Sequence, residues 1–177
     1  MARTPRLTAA RAHELLDLDV ETGVLRWRAR PIRASSARTD RAWNGRYVGT
    51  IAGAAHNAGY IRVSVEGEQF LAHRIVWLMV HGEWPSGEID HQDLGRCNNR
   101  PVNLRDASPA QNKANRRARP NNLSGLKGVK SVRTLRGERF HARICGRHLG
   151  VFDTAAAAHG AYVEAASAHF GQFSRAA

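Results

Sequence analysis

Ile89-Asp90-His91, then Asn98-Asn99-Arg100-Pro101-Val102-Asn103-Leu104-Arg105, then Ser108-Pro109-Ala110-Gln111-Asn112 form the stretch on which the fold turns. Glu88 to His91 reads as a short strand, the polar residues after it as a loop, and Leu104-Arg105 as a second short strand. Ser108 then suits a helix N-cap and Pro109 the first helical position. The predicted order is strand, loop, strand, helix. Successive strand side chains point to opposite faces, so His91 is expected to face away from its neighbour Asp90.

Upstream, 59–65 alternates as a strand should, Glu66-Gly67 can turn the chain, and 69–72 returns. A helix is predicted over 73–81, where Ile75, Val76, Leu78 and Met79 are apolar and Gly82 and Pro85 stop it. Nearer the start, Thr8 can cap a short helix with Ala9, Ala12, Leu15 and Leu16 on one side. Glu21-Thr22-Gly23 turns it into a short strand over 24–28. Residues 29–46 are rich in Arg, Ala and Ser without an apolar period, and are expected to be a linker or an extended arm.

Downstream, Arg119-Pro120-Asn121-Asn122 is a natural hinge. Three short strands are predicted at 129–132, 140–145 and 148–152, turned by Arg136-Gly137 and Gly146. Asp153-Thr154 caps a mostly alanine helix running to about His169, whose small side chains would let it lie close on a three-stranded sheet. The organisation expected is an N-terminal module and basic linker at 1–50, a core at 51–119 and a small domain at 120–177, in an α+β chain.

The motifs over 59–116 resemble the HNH (ββα-metal) nucleases, and more closely the HNH homing endonucleases of phages and introns. Ala72-His73-Arg74-Ile75-Val76-Trp77 and His81-Gly82-Glu83-Trp84-Pro85 join the resemblance in the same order. It implies a DNA endonuclease with one divalent ion, magnesium or manganese, per active site. Phosphodiester hydrolysis needs a base for water and a cation for the leaving oxygen. By this resemblance Asp90 and Asn112 hold the ion through hard oxygen ligands. His91 is the general base, a role that an ordinary histidine pKa of about 6.5 suits. Asn103 is implied to hydrogen-bond loop backbone and fix the base. The products implied carry 5′-phosphate and 3′-hydroxyl ends. One departure stands out: the loop reads His91-Gln92-Asp93-Leu94-Gly95-Arg96, where family members often carry Asn-Gly-Asp, so the glycine falls one place later. His73 is expected to make a structural hydrogen bond at the helix start, His81 to meet the helix dipole, Cys97 to be an ordinary loop thiol, and Asn115 to be a polar neighbour competing with Asn112.

The segment 124–173 resembles the Apetala/ethylene-response-factor DNA-binding domain, through Gly125-Leu126-Lys127-Gly128-Val129, Phe140-His141-Ala142-Arg143-Ile144 and Leu149-Gly150-Val151-Phe152-Asp153. That resemblance implies a sheet entering the DNA major groove, with Lys127, Lys130, Arg133, Arg139, Arg143 and Arg147 as contacts. Phe140 stands where a tryptophan is common. The stretch from Leu15 to Trp27 is similar to the small module that precedes many HNH homing nucleases.

Bulk composition agrees with a nucleic-acid partner. The net charge is +12 and the pI about 11.2, which favours polyanions. Residues 96–147 hold fourteen Lys and Arg against Asp106 and Glu138, so Arg100, Arg105, Lys113, Arg116 and Arg117 are also expected at double-stranded DNA. No apolar run nears the roughly 20 residues that span a bilayer, and no secretory h-region follows the basic start. Cys97 and Cys145 form no CxxC pair, which excludes a four-thiolate zinc site and makes reducing cytoplasm the expected compartment; the homing-type resemblance implies a bacterial host carrying a phage or mobile element. A monomer is expected, with dimerisation open because one HNH centre cuts one strand. Two other readings stand beside it: a DNA-binding regulator with an inactive core, and a non-specific nuclease.

Overall fold

The computed structural model describes residues 7–56, 58–135 and 137–176. The chain divides into two compact units, Met1–Asp106 and Ala107–Ala177.

In the first unit Thr8 caps helix α1 (Ala9–Leu15), its hydroxyl accepting from Arg11 N at 3.2 Å. The chain then enters β1 (Leu16–Asp19), which pairs antiparallel with β2 (Val24–Trp27) in the register Leu16 to Trp27. Strand β1 was not foreseen, because Leu16 fits the apolar face of a helix as well as the core face of a hairpin. Gly23 turns the hairpin at φ +71°.

Helix α2 (Ala37–Tyr47) replaces the expected linker or extended arm. Its inward side is polar and aromatic rather than aliphatic, so a search for apolar periodicity passes over it. Asp40 is its one buried residue, accepting from Ser36 Oγ at 2.7 Å and from Arg33 N at 3.1 Å. Asn44 exchanges two 2.9 Å hydrogen bonds with the backbone of Arg30. Trp43 meets Trp27 edge-on at 5.5 Å, and the Arg30 guanidinium lies 3.6 Å over the Trp43 ring.

A three-stranded sheet follows, ordered β3 (Ala54–Ala55), β4 (Ile61–Val65), β5 (Glu68–Leu71). It leads into helix α3 (Ala72–His81), closed by Gly82 at φ +79°. Both the turn at Glu66-Gly67 and the helix span agree with the sequence reading. Strand β6 (Glu88–His91) neighbours β7 (Leu104–Ala107) in a two-stranded sheet, with a 3₁₀ turn at Pro101–Asn103 before β7. One core joins α1, the β1–β2 hairpin, β4 and α3 to Ile89 and Leu104, so residues of the first two expected segments share one interior. At 25–30 cal/mol per Å² of apolar surface removed from water, side chains such as Leu16, Val63, Ile75 and Val76 contribute about 1.5–3 kcal/mol each.

The second unit opens with α4 (Pro109–Asn115), which carries a full capping box between Ser108 and Gln111. Then come β8 (Val129–Thr134), β9 (Gly137–Ile144) and β10 (Arg147–Phe152), antiparallel in the order β10-β9-β8. Of the expected turn Arg136-Gly137, Arg136 lies outside the described residues. Helix α5 (Ala155–Phe170) is capped by Thr154. Its buried Ala158, Tyr162 and Ala166 lie on Val129, Ala142 and Ile144, as small residues on a sheet predict. Gly128 is obligatory, because a Cβ there would stand 2.0 Å from the Tyr162 ring.

Candidate active site and basic surfaces

Strand β6 ends in three buried residues, Ile89, Asp90 and His91. Asp90 is 2% exposed, and its Oδ2 accepts from Arg105 Nε at 3.2 Å and also from Arg105 Nη2. Arg105 stands on the neighbouring strand β7 with its side chain 10% exposed. The expected contact with a DNA phosphate is replaced by this inward one, because a carboxylate taken out of water requires a cation close by.

His91 is 5% exposed. Its Nε2 lies 3.3 Å from Asn99 Oδ1, and Asn99 is itself 2% exposed. The tautomer that donates from Nε2 carries its lone pair on Nδ1. The His73 ring meets His91 edge-on at 5.0 Å, and Tyr60 lies 6.0 Å from it. Burial lowers the His91 pKa below the ordinary value, against opposing pulls from the Asn99 bond and the charges of Asp93 and Asp90. A neutral ring, able to accept a proton, is the result.

His73 was expected to hold a structural hydrogen bond. Instead its Nδ1 is buried without a partner among the described residues. Burial first, then the neighbouring His91 and Arg74, push its pKa down to about 3. It serves as an uncharged aromatic wall.

Asn103 organises the loop between β6 and β7. Its Oδ1 accepts from Asp93 N at 3.1 Å, and its Nδ2 donates to Asn98 O at 2.8 Å and Asp93 Oδ1 at 2.9 Å. Asp93 also accepts from Gly95 N and Asn98 Nδ2, both at 2.7 Å. Partial burial would raise the Asp93 pKa, but these hydrogen bonds outweigh it and hold the carboxyl below its usual range. The displaced glycine is also accounted for. Leu94 itself takes the left-handed conformation at φ +66°, a strain of roughly 1–2 kcal/mol that the Asp93–Asn103 network holds in place.

Two outside contacts brace this loop. A Cβ on Gly23 would stand 2.2 Å from the Asn99 carbonyl carbon, so the β1–β2 turn lies directly on the loop backbone. Cys97 Sγ donates to Gly59 O at 3.0 Å, and the Arg96 guanidinium reaches Ala58 O at 2.6 Å. Arg100 remains half exposed and 3.9 Å from Glu21.

Residues 70–114 match the HNH endonuclease family model (HNH_3). The HNH segment takes in Asp90, His91, Asn103 and Asn112, marks the first unit's β6–β7 region as nuclease sequence, and implies DNA as substrate. No curated protein and no solved structure matches the chain. Asn99 lies within the HNH segment and was missed in the sequence, where nothing sets one loop asparagine apart from the next.

Asn112 is half-buried on α4. Its neighbour Asn115 is buried and accepts from Arg175 Nε at 3.1 Å, which gives Asn115 a structural task of its own. In the same unit Lys113, Arg116, Arg117, Lys127 and Lys130 line one cleft of about 560 Å³. Lys127 points inward, its Nζ donating to the carbonyls of Ala114 and Arg175. Burial lowers its pKa. On the sheet, Lys130, His141 and Arg143 share the face away from α5, together with Arg139 and His148. Arg139 pairs there with Asp153. Arg133 and Arg147 fall on the opposite parity, at strand ends beside Glu138 and Ile144. The expected contacts therefore divide, with Lys130 and Arg143 as the exposed pair on the outer face. Among the described residues, no helix is long and apolar enough to cross a membrane.

Proposed function

We propose that the chain is a site-recognising DNA endonuclease of the homing or mobile-element type, with His91 as general base. The observation that carries this reading is His91 itself: buried, neutral, oriented by Asn99 and adjacent to Asp90. His91 Nδ1 takes the proton from the attacking water. Asn99 holds Nε2, and Asn103 holds the loop that carries Asn99.

Asp90 fits a magnesium or manganese ion. It is a hard oxygen donor and already desolvated. Asn112 is assigned the second ligand from its place in the HNH motif. A bound ion supplies Lewis-acid stabilisation for the charge developing on the leaving 3′ oxygen. The three-stranded domain, by its Apetala-type resemblance, and the basic cleft beside it grip flanking DNA, and Lys130 and Arg143 meet base edges or phosphates. The chain acts in the cytoplasm, as a monomer for each nick.

The Asp90–Arg105 pair favours one other reading, a DNA-binding regulator whose carboxylate stays with its arginine. Sequencing of cleavage ends on long phage or host DNA separates the readings. Ligatable 5′-phosphate ends recurring at a few sites support the proposal. Random ends replace it with a non-specific nuclease, and intact DNA under saturating protein and magnesium supports the regulator.

A further inference from the structure

Helix α2 is the element of the first unit whose presence the core explains least. Its one buried residue is Asp40, and it adds no aliphatic side chain to the interior. At 100° per residue, Asp40, Trp43, Asn44 and Tyr47 occupy one side. These are the residues that tie the helix to Arg33, Ser36, Trp27 and Arg30. The opposite side carries Arg38, Arg41 and Arg46, all exposed, arranged around Ala42 and Gly45. Among the described residues no carboxylate pairs with any of the three. Arg46 lies only against its own neighbour, with its guanidinium 5.4 Å from the Tyr47 ring.

Gly45 is the second, independent observation. Glycine in a helix interior is less stable than alanine. Crowding does not demand it here, since a Cβ at Gly45 would meet nothing within 4 Å. A bare backbone between arginines permits close approach by something outside the chain. The partner's chemistry follows from the surface: a repeating anion lying along a basic strip with no apolar contact.

We infer that the Arg38/Arg41/Arg46 face of α2 binds the phosphate backbone of double-stranded DNA, with Ala42 and Gly45 forming the floor on which the backbone lies. The inference rests on the proposed DNA-cleaving function and adds a contact surface to it, in the segment that reads as a linker. The helix is well suited to this. Its inward side is fixed by hydrogen bonds and ring contacts, so the arginines are presented from a rigid support instead of a mobile arm.

The test is fluorescence anisotropy of a labelled 30-base-pair duplex with the full chain in chelator, across a salt series, so that no cutting intervenes. The triple variant Arg38→Ala, Arg41→Ala, Arg46→Ala is expected to bind about tenfold or more weakly, with the log–log salt slope reduced by about 2 to 3. Its thermal midpoint should hold, because alanine favours helix and the one ring contact among the three, Arg46 with its neighbour Tyr47, is at the surface. Gly45→Gln leaves net charge unchanged; it is expected to weaken binding several-fold while melting no lower than the wild type. A triple variant with wild-type affinity and slope would overturn the inference, as would a Gly45→Gln protein of wild-type affinity. A wild type that fails to bind the duplex at all would instead overturn the proposed function.

Discussion

Asp90 and His91 are 2% and 5% exposed, whereas Lys130 and Arg143 stand open to solvent on β8 and β9. Around Asp90 and His91, polar groups removed from water are fixed by Arg105, Asn99 and, through the loop, Asn103. On the outer face of the sheet Lys130 and Arg143 keep their hydration and their freedom. The contrast fits the proposed division of labour. Proton transfer requires one orientation and one charge state, which burial and hydrogen bonds enforce. Holding a polyanion requires charge that is free to meet it, which burial would remove. Variants in the buried region should therefore alter stability and rate, and variants on the open face should alter salt-dependent affinity.

The largest stability effect is expected from Asp90→Ala. It leaves the Arg105 guanidinium buried without its carboxylate, a loss on the order of 3–5 kcal/mol in urea unfolding. A loss under about 1 kcal/mol would show that the pair is solvated and the contrast overstated. Asn99→Ala removes one partner of His91 Nε2, which is worth about 1–3 kcal/mol. Cleavage kcat should fall by roughly 5- to 150-fold with KM little changed, and Asn99→Asp, which keeps an acceptor, should recover part of it. Equal loss in kcat and KM would point to a general disturbance of the loop.

His73 gives the pH dependence. Its folded pKa is about 3 and its ordinary value 6.5, so between those limits the unfolded chain binds more protons. Stability should fall as pH drops from 6.5 toward 3, and the depressed His91 adds to the same trend. His73→Phe, which keeps an aromatic edge toward His91, should flatten that acid limb in thermal melts; an unchanged limb would mean the ring is not held neutral. The smallest stability change belongs to Lys130→Ala and Arg143→Ala, within about 0.5 kcal/mol. Each should nevertheless lower the salt slope of DNA binding by about 1. A slope equal to the wild type's would remove the outer face from the interface.

Much of this architecture is legible in the chain. Caps and periodicity mark α3, α4 and α5, because Gly82, Ser108 with Gln111, and Thr154 act on backbone that lies beside them in sequence. The order of β6, β7 and α4 follows from the same local signals. Helix α2 is not legible, since it is held by Asp40 and Asn44 on Arg33 and Arg30, and a hydrophobic pattern has no term for such anchors. Asn99 and Arg105 are hidden for another reason. Their composition suits a surface loop and a basic strand, and only the tertiary neighbours His91 and Asp90 turn them inward. Leu94 shows a local rule overridden, with a branched residue taking the conformation that glycine adopts freely.

The proposed role of His91, oriented by Asn99 beside Asp90, is to make this chain a cutter of DNA. Nicking of supercoiled plasmid by the wild type and by His91→Ala, each with magnesium and with chelator, tests it most directly. Nicking is expected from the wild type with magnesium and not with chelator. His91→Ala should bind the plasmid as tightly yet nick it about 10²- to 10⁴-fold more slowly. Undiminished nicking by His91→Ala, or a wild type that binds plasmid in magnesium and leaves it intact, would contradict it.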